Sequence, residues 1–188
     1  MKLRISLLLF VFITFSSLIF SSTIENNDSL PKINRKIISF VNANLNKKVG
    51  DGQCWALAAE ALNAVNATWD HHYKFGREIQ YGKEQVFPGD IIQFNDVTIK
   101  YRQNNSLVIE RYLLHTAIIY QVKKDGTFII ANQNVNNVLA LKLTELNLNA
   151  VIRGKYTVFR PEEEKRTKIQ DSRAKIQEPR TKIQDSRA

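Results

Sequence analysis

The apolar residues of this chain change their spacing once along its length, and that change restricts the fold more than any other feature. Up to residue 65 the period is helical. Ile33, Ile37, Ile38, Val41 and Leu45 recur every three or four positions over residues 31–45. Cys54-Trp55-Ala56-Leu57-Ala58-Ala59-Glu60-Ala61-Leu62 is strong helix composition that should run to about Val65. From Pro88 onward the pattern becomes short β-rich runs, at residues 91–94, 97–101, 115–122, 127–132, 138–143 and 156–159. Helices first and strands afterwards predict an α+β domain, N-terminal helices packed on an antiparallel sheet, rather than an alternating βαβ fold. With 188 residues, 44% of them hydrophobic, one core suffices and no second domain is required.

The two ends are different material. Residues 1–22 read as a signal peptide: Lys2 and Arg4 precede an almost wholly apolar stretch, and small Ser21 and Ser22 follow. A cleaved signal predicts a secreted or periplasmic protein with no stable membrane span; an uncleaved anchor is the alternative. At the other end, residues 167–173, 174–180 and 181–187 repeat a seven-residue unit. Each unit has one apolar residue (Ile169, Ile176, Ile183) where a coiled-coil seam needs two, and Pro179 interrupts the run, so residues 162–188 are expected to form a disordered basic tail. The folded domain is then residues 23–161. Of the net charge of +9, two units come from Lys2 and Arg4 and two from the tail, where eight bases meet six acids, leaving +5 on the body. That excess suits an anionic surface such as a cell-wall polymer, but it is spread out rather than gathered, so no nucleic-acid partner is expected. Nothing in the sequence calls for an oligomer, and a monomer is expected.

Export normally goes with paired cysteines, yet Cys54 is the only cysteine. It stands where the turn-forming run Val49-Gly50-Asp51-Gly52-Gln53 enters a helix. The partial positive charge of a helix N-terminus favours a thiolate there, and an imidazolium nearby would favour it further. Three histidines are available. His71 and His72 follow Trp69-Asp70 in a polar loop and read as exposed, with a weak metal site the lesser alternative; no metal or other cofactor is called for. His115 opens a strand, from which it is expected to point toward a neighbouring helix. The loop Lys123-Lys124-Asp125-Gly126 should join that strand to residues 127–132 as an antiparallel hairpin. A four-residue loop places Val122 opposite Thr127 and His115 opposite Asn134, with Asn132 on the diagonal; a two-residue Asp-Gly turn moves His115 opposite Asn136 with the parity unchanged. In either register Asn132 and Asn134 share the face of His115, and Gln133 takes the other; a β-bulge would reverse this. Asn132 is therefore the candidate to orient the imidazole, Asn134 a possible helper. Gln53 is a candidate oxyanion donor beside the Cys54 backbone N–H.

Together these segments resemble a known group. Gly52-Gln53-Cys54-Trp55, then Pro88-Gly89-Asp90-Ile91-Ile92-Gln93-Phe94, then His115-Thr116-Ala117-Ile118-Ile119, then Asn132-Gln133-Asn134 is similar in order to the NlpC/P60 and CHAP branch of papain-like cysteine hydrolases. The likeness covers residues 33–160 and closes on Tyr156-Thr157-Val158-Phe159-Arg160-Pro161. Gly50-Asp51-Gly52-Gln53-Cys54-Trp55 with His115-Thr116-Ala117 is more similar still to the cysteine-proteinase-fold domain of certain fungal actin-patch proteins. The first resemblance implies a papain-like fold and an exported cysteine peptidase or amidase. Cys54 would be its nucleophile, His115 its base and Asn132 the orienting group, and amide bonds of peptidoglycan its favoured substrate. The alternative is a papain-like cleft that binds a cell-wall or protein ligand without cleaving it.

Overall fold

The computed structural model describes residues 30–164. The signal-peptide reading of residues 1–22 and most of the tail lie outside the described residues. Two helices come first, α1 (Lys32–Asn44) and α2 (Cys54–Ala64). They are followed by β1 (Ala67–Thr68), β2 (Arg77–Ile79), β3 (Ile91–Gln103), β4 (Ser106–Val122), β5 (Phe128–Asn132), β6 (Lys142–Leu146), β7 (Val151–Arg160) and β8 (Glu162–Glu163). Six of the strands make one antiparallel sheet in the order β2-β7-β3-β4-β5-β6. The α+β class with helices on an antiparallel sheet is as the sequence predicts, and both helices start and stop within a residue or so of the expected bounds. Just past residue 161, β8 pairs with β1 through Ala67 opposite Glu163 and Thr68 opposite Glu162.

The sheet is buried on both faces. On one, Ile33, Ile37 and Val41 of α1 and Leu57, Ala58, Ala61 and Leu62 of α2 pack with Ile91, Ile118, Ala131 and Phe159. On the other, Ile92, Phe94, Ala117, Ile119 and Ile130 pack with Val86, Leu146 and Leu148, away from both helices. Each face therefore carries its own apolar layer.

Pro88-Gly89-Asp90 proves to be a structural joint. Asp90 is fully buried, and Arg160 of β7 grips its two carboxylate oxygens at 3.2 and 2.9 Å. The backbone N–H of Phe87 and the Nδ2 of Asn34 in α1 also donate to it, at 2.9 and 2.8 Å. Burial raises the Asp90 pKa, and those donors pull it back. The Arg160 guanidinium also lies 4.4 Å from the centre of the Phe87 ring. Gly89, at φ +88, lets α1 come close: a Cβ there would stand 2.7 Å from the carbonyl oxygen of Asn34. The motif at 88–90 and the closing Arg160-Pro161 are thus two halves of one contact.

Three strand expectations fail. The runs at 91–94 and 97–101 are one strand, bent at Asp96, whose φ is +50. Its partner β4 begins nine residues before His115, across a two-residue turn at Asn104-Asn105 with both φ positive (48 and 62). The run expected at 138–143 follows a turn at Asn136 and Asn137 and is irregular from 139 to 141, so that β6 starts only at Lys142.

Candidate functional site

The loop ahead of α2 is held open by glycines and by one buried amide. Gly52 has φ +89, and a Cβ on it would meet the Cβ of Leu139 at 2.9 Å. Asp51 Oδ1 accepts from the N–H of Gln53 at 2.8 Å. Gln133 lies behind the loop, 1% exposed. Its Oε1 accepts from the Val49 N–H at 2.8 Å, and its Nε2 donates to the carbonyls of Val49 and Gln53 at 3.1 and 3.2 Å. Gln133 was expected on the face away from His115, and that is where it lies. Its part in setting the entry to Cys54 was missed, although its position inside Asn132-Gln133-Asn134 carried the signal.

Cys54 opens α2 and is half-buried, with no side-chain cap at the helix start. Gln53 and Asn134 are brought together: Asn134 Nδ2 donates to Gln53 Oε1 at 2.6 Å. That bond occupies the Gln53 amide oxygen, and its Nε2 makes no hydrogen bond among the described residues. Trp55, the next residue, donates its indole N–H to the His72 carbonyl at 2.5 Å and tilts against Trp69. The loop of His71 and His72 is thereby folded back near the helix start. Asp70 organises it by accepting from the backbone N–H groups of His72 and Lys74. No cluster of three metal-ligating side chains occurs among the described residues.

His115 departs from expectation. It pairs across the sheet with Phe94, and its ring lies against Phe94 and Tyr112, centroids 6.1 and 5.2 Å apart. Phe94 and Tyr112 belong to the layer remote from α1 and α2. The imidazole therefore turns away from the helix that carries Cys54. His115 is 7% exposed and its Nε2 has no hydrogen-bond partner. Burial pushes its pKa down to about 4, with the Asn132 amide nearby pulling the other way. On the helix-bearing face, the neighbouring position of β4 is Thr116, whose hydroxyl donates to Gln93 Oε1 at 2.6 Å.

Asn132 shares the His115 face, as expected. Ile118 pairs with Ala131 and Ile119 with Ile130, the register that sets His115 opposite Asn134 by extension. The route differs, because Val122 pairs with Phe128 rather than Thr127, and a bulge between Ile119 and Gln121 absorbs the extra residue. Asn132, 1% exposed, donates Nδ2 to Thr144 Oγ1 at 2.9 Å. Its Oδ1 sits near the imidazole without a hydrogen bond of normal geometry. The structure thus assembles two groups, Gln53-Asn134-Gln133 around the Cys54 entry and His115-Asn132-Thr144 beyond the sheet.

Residues 28–171 match the family described as the AIM3/BBC1 cysteine proteinase-fold domain. The chain belongs to that family. A relative of this cysteine-proteinase-fold domain is "Altered inheritance of mitochondria protein 3" of Debaryomyces hansenii, 31% identical over 143 residues. The match takes in 66% of this chain and 15% of that protein, so the chain spans a small part of its relative's length. Among solved structures, "The crystal structure of Ly7917" and "The crystal structure of Ly7917 with the hydrolyzing product of MDP" are each 15% identical with a TM-score of 0.42. Each alignment covers 68% of this chain and 62% of the other.

Proposed function

We propose that this cysteine-proteinase-fold domain is a non-catalytic binding module that holds a protein or cell-wall ligand at the surface around the start of α2. The observation that carries the reading is the direction of His115. A cysteine nucleophile needs its base within hydrogen-bond reach, about 3 Å or somewhat more for a resting thiol. Here the imidazole lies against the stacked rings of Phe94 and Tyr112 on the face away from α2, with Nε2 unpartnered. A group held neutral down to about pH 4 also supplies no imidazolium to favour a thiolate at neutral pH. What remains at the helix start suits recognition: unpaired N–H groups, the free Nε2 of Gln53 and an aromatic wall from Trp55 and Trp69.

The hydrolase reading gives Cys54 the attack on an amide carbonyl, His115 the proton transfer, Asn132 the orientation and Gln53 the oxyanion. Peptidoglycan would be its substrate, and the leader at residues 1–22 would deliver the domain there. Incubating the chain with purified peptidoglycan, and separately with a mixed peptide library, and assaying new amino groups distinguishes the two. We expect no release by wild type above Cys54→Ala. Release that both Cys54→Ala and His115→Ala abolish would reinstate the hydrolase.

A further inference from the structure

We propose that the outer edge of β4 over residues 107–114 is a docking strand for an extended acidic peptide, which adds to the sheet beside it. β3 pairs with β4 from Ser106 to Ile118, whereas β5 covers β4 only from Ile118 to Val122. Among the described residues, nothing pairs with the other edge of 107–114. Eight extended residues present an open row of backbone N–H and C=O groups about 26 Å long. Exposed edges are usually short or interrupted by proline, and Leu107-Val108-Ile109-Glu110-Arg111-Tyr112-Leu113-Leu114 is neither.

The arm is stiffened on one face and bare on the other. Tyr101 and Tyr112 both donate to Glu110, each at 2.8 Å, which locks β3 to β4 and neutralises the demand of that carboxylate. Both hydroxyls are reluctant to ionise: the Glu110 bond pushes Tyr101 up to about 12, and burial, with the Glu110 charge beside it, raises Tyr112. On the bare face Leu107, Ile109 and Leu113 are 52, 49 and 75% exposed, with Arg111 between them. Across the pair stand Arg102 opposite Leu107 and Lys100 opposite Ile109. Arg153 is bound to Asp96 at 2.5 Å, while Lys100, Arg102 and Arg111 have no ion pair among the described residues.

Apolar side chains interleaved with three uncompensated positive charges fit a strand that alternates apolar with acidic residues. A second copy of this chain would instead set like charges against each other. The surface is separate from the start of α2 and does not depend on whether Cys54 is catalytic.

The test uses the whole chain and a fluorescent nine-residue peptide alternating Glu and Val, followed by anisotropy. The Glu-Val peptide should bind, more weakly as salt rises. A fully N-methylated copy, a Lys-Val peptide, and Arg111→Glu tested with the original peptide should each bind roughly tenfold more weakly or worse. Circular dichroism checks that Arg111→Glu keeps its fold, and the peptide controls do not depend on that variant. Equal binding of the N-methylated peptide would overturn strand addition, and equal binding of the Lys-Val peptide would overturn the charge argument. Failure of the Glu-Val peptide, with binding to phosphatidylserine vesicles or with a dimer broken by Arg111→Glu, would overturn the proposal in favour of a membrane or self-association surface.

Discussion

The buried imidazole of His115 has a consequence for stability that belongs to that residue alone. In the unfolded chain it titrates near about 6.5, and in the fold it is pushed down to about 4. Between those values the unfolded state binds the proton first, so stability falls as pH drops from about 6.5 toward 4 and levels off below. The loss amounts to about 3 kcal/mol. His115→Gln should cut that dependence, and urea titrations of wild type and variant at pH 7 and pH 4 would show it. Parallel curves at both pH values would contradict the burial. That His115 and Asn132 share a face is what a four-residue loop predicts, but the structure reaches it by another route: Val122 pairs with Phe128, which alone would reverse the parity, and the bulge between Ile119 and Gln121 restores it. Which face meets the helices was not legible. Ala117, Ile118 and Ile119 are all buried, so apolar alternation, the usual marker of the inner face, is missing where it was needed. Gln133 was passed over for a related reason: its flanking asparagines matched a functional pattern, while its own role depends on a loop more than 80 residues earlier in the chain.

Helices and turns were easier to read than strand lengths. Pro31 at the start of α1 and the glycines before α2 are local signals that act within a few residues. The long β3-β4 arm was hidden because Leu107-Val108-Ile109 and Leu113-Leu114 place apolar groups on exposed and covered sides alike. The Asn104-Asn105 turn was a better clue, since asparagine tolerates the positive φ that a two-residue hairpin demands. The joint between Asp90 and Arg160 links the start of β3, the end of β7 and α1. Breaking one side of a buried ion pair strands the other charge, so Asp90→Ala and Arg160→Ala should each lose about 3–5 kcal/mol in denaturant titrations. The double substitution Asp90→Leu with Arg160→Met should lose clearly less than the two single losses combined. Additive losses would mean that the two groups do not act as a pair.

For the molecule as a whole, the order of helices and strands was sufficient to place the chain in its fold class. The family match over residues 28–171 agrees with that class, since it is a cysteine-proteinase-fold family. Descent preserves the frame more readily than the chemistry, since the buried joint at Asp90 and the amide behind the Cys54 loop stabilise the fold without any reaction. Cys54 opens a helix that packs on one face of the sheet, whereas the His115 ring lies with Phe94 and Tyr112 on the other. On the proposed binding-module reading, the thiol and the imidazole do not act as a pair. Alkylation of Cys54 by iodoacetamide, followed across pH 5 to 8 in wild type and in His115→Ala, tests it most directly. Superimposable rate profiles, with both proteins folded by circular dichroism, are the predicted result. A marked slowing at pH 6 to 7 in His115→Ala alone would contradict it and return His115 to the side of Cys54.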